Sequence, residues 1–432
     1  MSRREELAEG VELRREEGDP DALAGPVIAE LLSRSHLMRL AEVSTALTQA
    51  ALPLGVSAAR IYLADLQQRQ LALLQAGEGH GADALPIGST LAGRAYQTAT
   101  IQSAPVRGAD GKNYQVWIPL VDGTARLGVL SLTVADVSEA MLDRYRALAS
   151  LVGLVIEAKA SYSDMYAQTQ RSREMALQAE LIWAFLPPRT FATDGVLVSV
   201  SLEPAYEAGG DAFDYSLLGD HLHVSILDAL GHDLSAGLTA SVAIASCRST
   251  RRAGGSLTAI AAGADDAIAG SFGEERFVTA LLCDLDLATG LLTWIPCGHP
   301  PPLLIRGRTV KELDRTARPP LGLGDVCARR GKRAHDDAAS VPLCTERLEP
   351  RDRVLLYTDG VTEGRAADGT PFGLQRLADF IIRHNSALLP APETMRRLNH
   401  AIVEYQHGRL RDDATAVLIE WQPDQPGPML TP

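Results

Sequence analysis

Hydrophobic periodicity divides the chain into an N-terminal region that mixes helices with short strands and a longer C-terminal region. Apolar residues recur at helical spacing from Pro26 to Leu47 and again from Met141 to Lys159. Short apolar segments of strand length, separated by polar turns, lie between the two predicted helices. The predicted strands are Arg60–Leu66, Leu71–Gln75, Gln115–Leu120 and Leu127–Val134.

This order of helix, strands, hairpin and helix predicts a small α/β domain over residues 26–160. Residues 1–25 are rich in charge and lack apolar periodicity, so we predict a flexible tail there.

The stretch that follows is predicted to be a helical linker over residues 161–190. Ser161–Phe185 contains neither proline nor glycine, and Pro187 and Pro188 would end a helix. Its apolar positions do not sustain a heptad, so the pattern leaves open a dimeric coiled coil, a mechanical coupling and a simple spacer.

In the second half, strands and helices are segregated rather than alternating. This arrangement favours an α+β fold with mainly antiparallel sheets over residues 191–423, followed by a disordered tail at residues 424–432. The predicted strands are Val196–Leu202, His221–Leu227, Phe277–Asp284, Leu291–Ile295, Val354–Tyr357 and Ala414–Trp421, and the predicted helices are Leu234–Arg252, Ser256–Ala269, Leu374–His384 and Glu393–Gln406.

Charge and cysteine content narrow the function classes. The 41 Lys and Arg residues face 54 Asp and Glu residues, giving a net charge of −13, which disfavours nucleic acid and anionic membranes as partners. The five cysteines all lie in the second half without CxxC spacing, which argues against a zinc site or a disulfide framework. Neither a signal peptide nor an apolar run of transmembrane length is found, so we expect a cytoplasmic protein.

Aspartates at predicted strand ends are the candidate chemistry. Asp211 follows two glycines, Asp228 and Asp359 each end an apolar strand, and Asp412 precedes the last strand. If these carboxylates gather at one end of a pair of sheets, they repel one another unless cations neutralise them. Ligands that are all oxygen suit Mg²⁺ or Mn²⁺ rather than zinc, and two such ions would also attract a phosphate against the negative net charge.

Seven motifs in order, GGDAFDY, DALGH, FVTALL, CGHPPPLL, RPPLGL, LLYTDGVTEG and RDDATAVLIEW, resemble the SpoIIE-type metal-dependent phosphatases of the PPM, or phosphatase 2C-like, superfamily. The resemblance spans about residues 180–423. It implies a β-sandwich flanked by helices in an αββα arrangement, with a two-metal site that activates water to hydrolyse phosphoserine or phosphothreonine.

The same resemblance assigns the ligands. Asp228 would bridge both metals, Asp211 would bind one of them, and Asp359 and Asp412 would bind the other. The backbone carbonyl of Ala229 would complete the first metal.

Two histidines near these motifs have open roles. His232, beside the metal loop, is a candidate for contact with substrate or for holding a ligand, although we favour a structural role. His299 is interpreted as a brace for its proline turn.

The chain departs from the family pattern at two positions. The usual GHG is replaced by Gly231-His232-Asp233, and we interpret Asp233 as the N-cap of the helix that begins at Leu234 rather than as strain or added charge near the metals. Cys297 replaces a usual alanine and is interpreted as a small apolar filler. Asp413 is expected to lie outside the metal ligands, where it orients the loop or meets Arg411.

The N-terminal region resembles a GAF domain, on its order of elements and on the hairpin IPLVDGTARLGVLSLTV. It contains no cysteine for a thioether-linked chromophore, and His36 and His80 are isolated and are interpreted as ordinary histidines.

The combined prediction is a protein serine/threonine phosphatase gated by this sensor, with a phosphorylated STAS-type anti-anti-sigma factor as substrate by family analogy. A homodimer through the GAF-like domain and the linker helix is left open. The alternatives are a non-catalytic scaffold with the same fold and a phosphatase of a small phosphorylated molecule.

Overall fold

The computed structural model of the 432-residue chain describes residues 20–75, 83–106, 113–324, 343–386, 390–408, 410 and 412–423. His80, Cys327 and Arg411, most of the predicted N-terminal tail and all of the predicted C-terminal tail lie outside the described residues.

The described strands form three sheets, one in the N-terminal region and two in the C-terminal region, and the strands of the last two alternate along the chain. The helices in the described residues are α1 (Pro20–Ser35), α2 (Val43–Ala50), α3 (Leu91–Thr98), α4 (Glu139–Ala160), α5 (Asp164–Gln170), α6 (Leu177–Phe185), α7 (Leu234–Arg252), α8 (Leu257–Phe272), α9 (Asp359–Glu363), α10 (Leu374–Ser386) and α11 (Ala391–Tyr405). The strands are β1 (Val56–Ala64), β2 (Gln70–Leu73), β3 (Leu85–Pro86), β4 (Gln102–Val106), β5 (Asn113–Asp122), β6 (Ala125–Val134), β7 (Thr190–Thr193), β8 (Val196–Glu203), β9 (Asp211–Leu218), β10 (His221–Ala229), β11 (Val278–Asp286), β12 (Leu291–Cys297), β13 (Leu303–Arg306), β14 (Thr309–Glu312), β15 (Cys344–Arg347), β16 (Arg353–Tyr357) and β17 (Ala414–Trp421).

The first sheet belongs to the N-terminal unit, which we define as α1 to α4 with β1 to β6. Its strand order is β3-β2-β1-β6-β5-β4, and every neighbouring pair is antiparallel. The apolar stripes of α1, α2 and α4 pack on one face of the sheet. A second apolar cluster around Tyr62, Ile87 and Tyr96 covers the other face.

Two sequence predictions in this region are wrong. The first helix begins at Pro20 rather than Pro26, consistent with the preference of proline for the first helical position. The predicted continuous helix over Ser161–Phe185 is instead two short helices, α5 and α6, separated by an extended segment.

Tertiary contacts explain the interruption of the linker helix. The backbone N–H of Leu66 donates to the carbonyl of Gln170, and the N–H groups of Ser172 and Ala176 donate to the hydroxyl and the carbonyl of Tyr206. Arg171 forms a bidentate pair with Glu180 across the break. These contacts replace the intrahelical hydrogen bonds that a continuous helix would have made.

The C-terminal unit, which we define as β7 to β17 with α7 to α11, is a sandwich of two antiparallel sheets. Their strand orders are β15-β12-β11-β10-β9 and β14-β13-β16-β17-β8-β7. A shared apolar core that includes Phe213, Trp294 and Leu356 fills the space between the sheets. Helices α7 and α8 cover the outer face of the five-stranded sheet, and α10 and α11 cover that of the six-stranded sheet. The predicted α+β class and αββα layering are therefore confirmed.

Within the described residues, none of the helices combines the length with the apolar character needed to cross a membrane.

Candidate functional site

Two of the predicted aspartates face each other at the open end of a hairpin. β9 and β10 pair antiparallel, and in this register Asp211, the first residue of β9, lies opposite Asp228 near the end of β10. Asp211 is buried, whereas Asp228 is partly exposed. The strand β9 was not predicted from the sequence, yet it is the element that brings the two carboxylates side by side.

The other two aspartates lie beside the ends of two central strands of the six-stranded sheet. β16 pairs antiparallel with β17, so that Tyr357 at the end of β16 lies opposite Ala416 near the start of β17. Asp359 therefore follows the end of one strand, at the first position of α9, and Asp412 precedes the start of its neighbour.

Glycines allow these segments to approach closely. A Cβ on Gly210 would lie 2.4 Å from the carbonyl oxygen of Gly231 and 2.8 Å from that of Ala229. A Cβ on Gly360 would lie 1.9 Å from the carbonyl oxygen of Asp413. Only glycine fits such contacts, so the segments that carry the four aspartates meet at one end of the sandwich.

A buried hydrogen-bond network ties these segments together. Oδ2 of Asp413 accepts from the backbone N–H groups of Gly209, Gly210 and Asp211 at 2.8, 2.7 and 3.2 Å. Oγ1 of Thr358 donates to Oδ2 of Asp211 at 2.7 Å and accepts from the N–H of Thr415 at 2.9 Å. The loop-orienting role predicted for Asp413 is thereby confirmed, whereas Thr358 was missed although it directly precedes Asp359 in the YTDG motif.

Burial and mutual repulsion disfavour ionisation of these carboxyl groups in the absence of a cation. Burial, followed by the charges of Asp359, Asp412 and Asp413, raises the pKa of Asp228 to about 7. Burial, then Asp228 and Asp413, raises the pKa of Asp211 well above its usual range. The pKa of Asp359 is raised by burial and by Asp412.

This donor set fits a hard divalent cation, because all of its side-chain donors are carboxylate oxygens whose negative charges are mutually unfavourable. Within the described residues, no three Asp, Glu, His or Cys side chains converge on one point as a complete metal cage. The structure thus brings the four aspartates to one end of the sandwich.

The remaining predictions near the site have distinct outcomes. Asp233 is the N-cap of α7, because its Oδ1 accepts from the N–H of Ala236 at 2.9 Å. Cys297 is fully buried in the apolar cluster beneath α7 and α8, as expected of a filler. His299 is buried, Oγ1 of Thr279 lies 2.8 Å from its Nδ1, and burial lowers its pKa to about 3, so its ring is neutral at pH 7. His232 is exposed in the loop after Asp228.

One buried acid of the same hairpin has a different role. Asp214 on β9 pairs with Arg248 and Arg251 of α7 at 2.7 and 2.8 Å. These bonds anchor the helix that Asp233 caps to the strand that Asp211 begins. No local pattern indicates this pairing, because the partners are 34 and 37 residues apart.

A second polar cluster lies where the N-terminal unit contacts the C-terminal unit. We define the Glu393 cluster as Glu393, Arg396 and Arg397 of α11 together with Arg126 of β6. Nη1 of Arg126 donates to Oε2 of Glu393 at 3.0 Å, and the exposed fractions of these side chains are 4% and 1%. Arg396 and Arg397 also donate to Glu393, at 2.8 to 2.9 Å.

Further polar contacts lie beside the Glu393 cluster. Gln67 donates to Glu203 at 3.2 Å, and Nε2 of His400 lies 3.0 Å from the carbonyl of Gln67. Arg126 also lies over the ring of Tyr96, with its guanidinium carbon 4.7 Å from the ring centroid. The N-terminal unit therefore contacts α11 through buried charged and polar groups.

The C-terminal region is similar to a family of known proteins and to one curated protein. Residues 219–422 match the model of the family described as Stage II sporulation protein E (SpoIIE). The matched stretch contains Asp228, Asp359 and Asp412, whereas Asp211 lies just before it. Protein IcfG of Synechocystis sp. is 23% identical over 157 residues, which cover 36% of this chain and 22% of IcfG.

Three solved structures are similar at low identity. The RsbU and RsbW domains of a Mycobacterium tuberculosis protein are 23% identical, with 54% of this chain and 64% of that chain covered and a TM-score of 0.46. The SiaA-PP2C domain of Pseudomonas aeruginosa is 23% identical, with coverages of 52% and 86% and a TM-score of 0.44. The PP2C domain with part of the regulatory domain of SpoIIE from Bacillus subtilis is 13% identical, with coverages of 93% and 92% and a TM-score of 0.42. Because these TM-scores are below 0.5, the fold assignment rests on the sheets of this chain.

Proposed function

We propose, from the match of residues 219–422 to the SpoIIE family model, that the chain is a metal-dependent phosphatase of phosphoserine or phosphothreonine in proteins. The observation that carries this proposal is the meeting of Asp211, Asp228, Asp359 and Asp412 at one end of the sandwich. The scaffold alternative is disfavoured because a domain that only binds partners has no need for four mutually repelling carboxylates.

We propose that Asp228 bridges two divalent cations, Mn²⁺ or Mg²⁺. Asp211 and the carbonyl of Ala229 would contact one ion, and Asp359 and Asp412 the other. Register supports the first pair, since Asp211 and Asp228 are cross-strand partners. Strand pairing supports the second, since Asp359 and Asp412 border neighbouring strands.

Bound cations would lower the pKa of water, which supplies a nucleophile for attack on phosphorus near neutral pH, and would neutralise charge on the phosphoryl oxygens. The protein's own residues hold the site in shape. Asp413 and Thr358 fix the start of β9, and the capped N-terminus of α7 fixes the loop after Asp228. His232, exposed in that loop, is proposed only as a group that contacts substrate.

By analogy with the family, we propose a phosphorylated STAS-type anti-anti-sigma factor as substrate, in a partner-switching pathway. The test is the rate of phosphate release from a panel of phosphorylated STAS proteins, compared with small phosphate esters at equal concentration. A higher kcat/KM for one STAS phosphoprotein is expected. A preference for a small ester would favour the small-molecule alternative, and no turnover with any substrate would favour the scaffold.

We further propose that the N-terminal unit, as a GAF-like sensor, gates this activity through the Glu393 cluster. Helix α11, which carries Glu393, packs on β8 and β17 through Met395, Leu398 and Ile402, and β17 begins directly after Asp413. A shift of the N-terminal unit that moves Arg126 would therefore act on the strand next to Asp412.

The gating proposal is tested with Arg126→Gln in the full chain. We expect a change of at least roughly twofold in kcat on the phosphoprotein, in the range found for residues that couple distant sites. The matched control is Glu420→Gln, which removes a charge from a buried pair with Arg353 inside the C-terminal unit. An unchanged rate in Arg126→Gln would argue against gating through this contact.

A further inference from the structure

Asp413 is a buried carboxylate at the junction of the two sheets, outside the proposed ligand set. It directly follows Asp412, and its side chain reaches across to the segment that begins β9. Only 4% of Asp413 is exposed. A charge in such a place is costly unless its hydrogen bonds are strong.

The bonds of Asp413 share one oxygen. Three consecutive backbone N–H groups, from Gly209 to Asp211, point at Oδ2. Glycine lacks a Cβ atom, so it permits the tight turn that aims these N–H groups at one point. A Cβ on Gly209 would lie only 2.4 Å from the carbonyl oxygen of His232. The backbone of the turn at Gly209 and Gly210 therefore forms a concave surface whose N–H groups bind one carboxylate oxygen, as in other anion-binding backbone turns.

Thr358 provides a second restraint on the same aspartate. Its hydroxyl donates to the Asp211 carboxylate and accepts from the Thr415 N–H, so it joins β16, β17 and β9. Asp413 restrains the backbone of Asp211, and Thr358 restrains its side chain. Together they set the position of Asp211 relative to Asp359 and Asp412.

We propose that Asp413 is a positioning residue that fixes Asp211 for cation binding through hydrogen-bond acceptance by Oδ2, and that it is not itself a ligand. This inference rests on the proposed function. Asp413 is buried with its Oδ2 held by three amides, whereas the neighbouring Asp412 is exposed and is the side chain that we assign to the cation.

The test is the dissociation constant of Mn²⁺ for the full-length, metal-free protein, measured by calorimetry. Asp413→Ala is expected to weaken Mn²⁺ binding about 10- to 100-fold, as is usual for residues that orient metal ligands. Asp413→Asn keeps an acceptor oxygen and is expected to recover most of that loss. The control is Asp352→Ala, which removes a buried carboxylate that accepts from the N–H of Glu349 at the other end of β16. Its Mn²⁺ affinity should match the wild type.

Wild-type affinity in Asp413→Ala, or equal losses in the Ala and Asn variants, would overturn the inference. A kcat that stays low at saturating Mn²⁺ would also overturn it, because it would place Asp413 in the reaction itself. If Asp413→Ala fails to fold, Asp413→Glu takes its place: it keeps the charge but displaces the accepting oxygen, so it should weaken Mn²⁺ binding more than Asp413→Asn does, and wild-type affinity in Asp413→Glu would overturn the inference. Absence of Mn²⁺ binding by the wild type would refute the proposed function as well, whereas a binding, active wild type beside an unaffected Asp413→Ala would refute this inference alone.

Discussion

Replacing Glu393 by Gln is predicted to loosen the contact between the two units. Glutamine keeps the size of the side chain but removes its charge. It leaves the buried guanidinium groups of Arg126 and Arg396 without their shared carboxylate. Removing one partner of a buried ion pair is strongly destabilising, because the charge of the other partner stays buried without compensation.

The magnitude follows from the electrostatics of the cluster. Burial alone would raise the pKa of Glu393, but hydrogen bonds from Arg396 and Arg397 and the charge of Arg126 outweigh it and lower the pKa to about 2. A fall from the ordinary value of 4.5 to about 2 corresponds to about 3 kcal/mol of stabilisation at pH 7. Because the folded-state pKa is depressed, this contribution is complete above pH 4.5 and is lost as the pH falls towards 2.

The assay is urea unfolding of wild type and Glu393→Gln at pH 7 and pH 3, followed by two spectroscopic probes. The difference in unfolding free energy should be about 3 kcal/mol at pH 7 and about 1 kcal/mol at pH 3. A double-mutant cycle with Arg126→Gln should give a coupling of at least about 0.5 kcal/mol, since the side chains are in contact. A difference that is the same at both pH values, or additive mutants, would refute the reasoning.

Two further predictions concern the architecture of the site. Asp233→Ala should lower the unfolding free energy by about 1 kcal/mol through loss of the α7 cap. Asp233→Gly, which restores the usual family residue, should lower it by only a few tenths of a kcal/mol. Equal stability of wild type and both variants in urea unfolding would contradict the capping role. Gly210→Ala should weaken Mn²⁺ binding and lower the melting temperature, because its Cβ would lie 2.4 Å from a carbonyl oxygen. The control Gly270→Ala, which meets open space on α8, should be neutral or slightly stabilising, and similar behaviour of both variants would contradict the packing argument.

The sequence predicted the parts of the fold in which periodicity and local chemistry agree. Alternation predicted β10, and short apolar segments predicted β11, β16 and β17, so that three of the four aspartates could be placed at strand ends. The cap at Asp233 was predictable because it depends on residues three positions apart.

β9 was missed although Phe213, Tyr215 and Leu217 alternate with Asp214 and Ser216. The other missed features depend on contacts between distant residues, such as the pairing of Asp214 with arginines of α7. The break between α5 and α6 is set by hydrogen bonds to Leu66 and Tyr206. Arg126 and Glu393 are 267 residues apart, so no local pattern could indicate their contact.

The central claim is that Asp228 anchors a two-cation site for phosphoester hydrolysis, and the most direct test is phosphate release from a phosphoserine protein with and without Mn²⁺ or Mg²⁺. We expect wild-type turnover to require one of these ions, to stop on chelation and to be largely lost in Asp228→Asn. Asp286→Asn, at the opposite end of the same strand pair, should retain it. Full activity after chelation, or in Asp228→Asn, would contradict the claim.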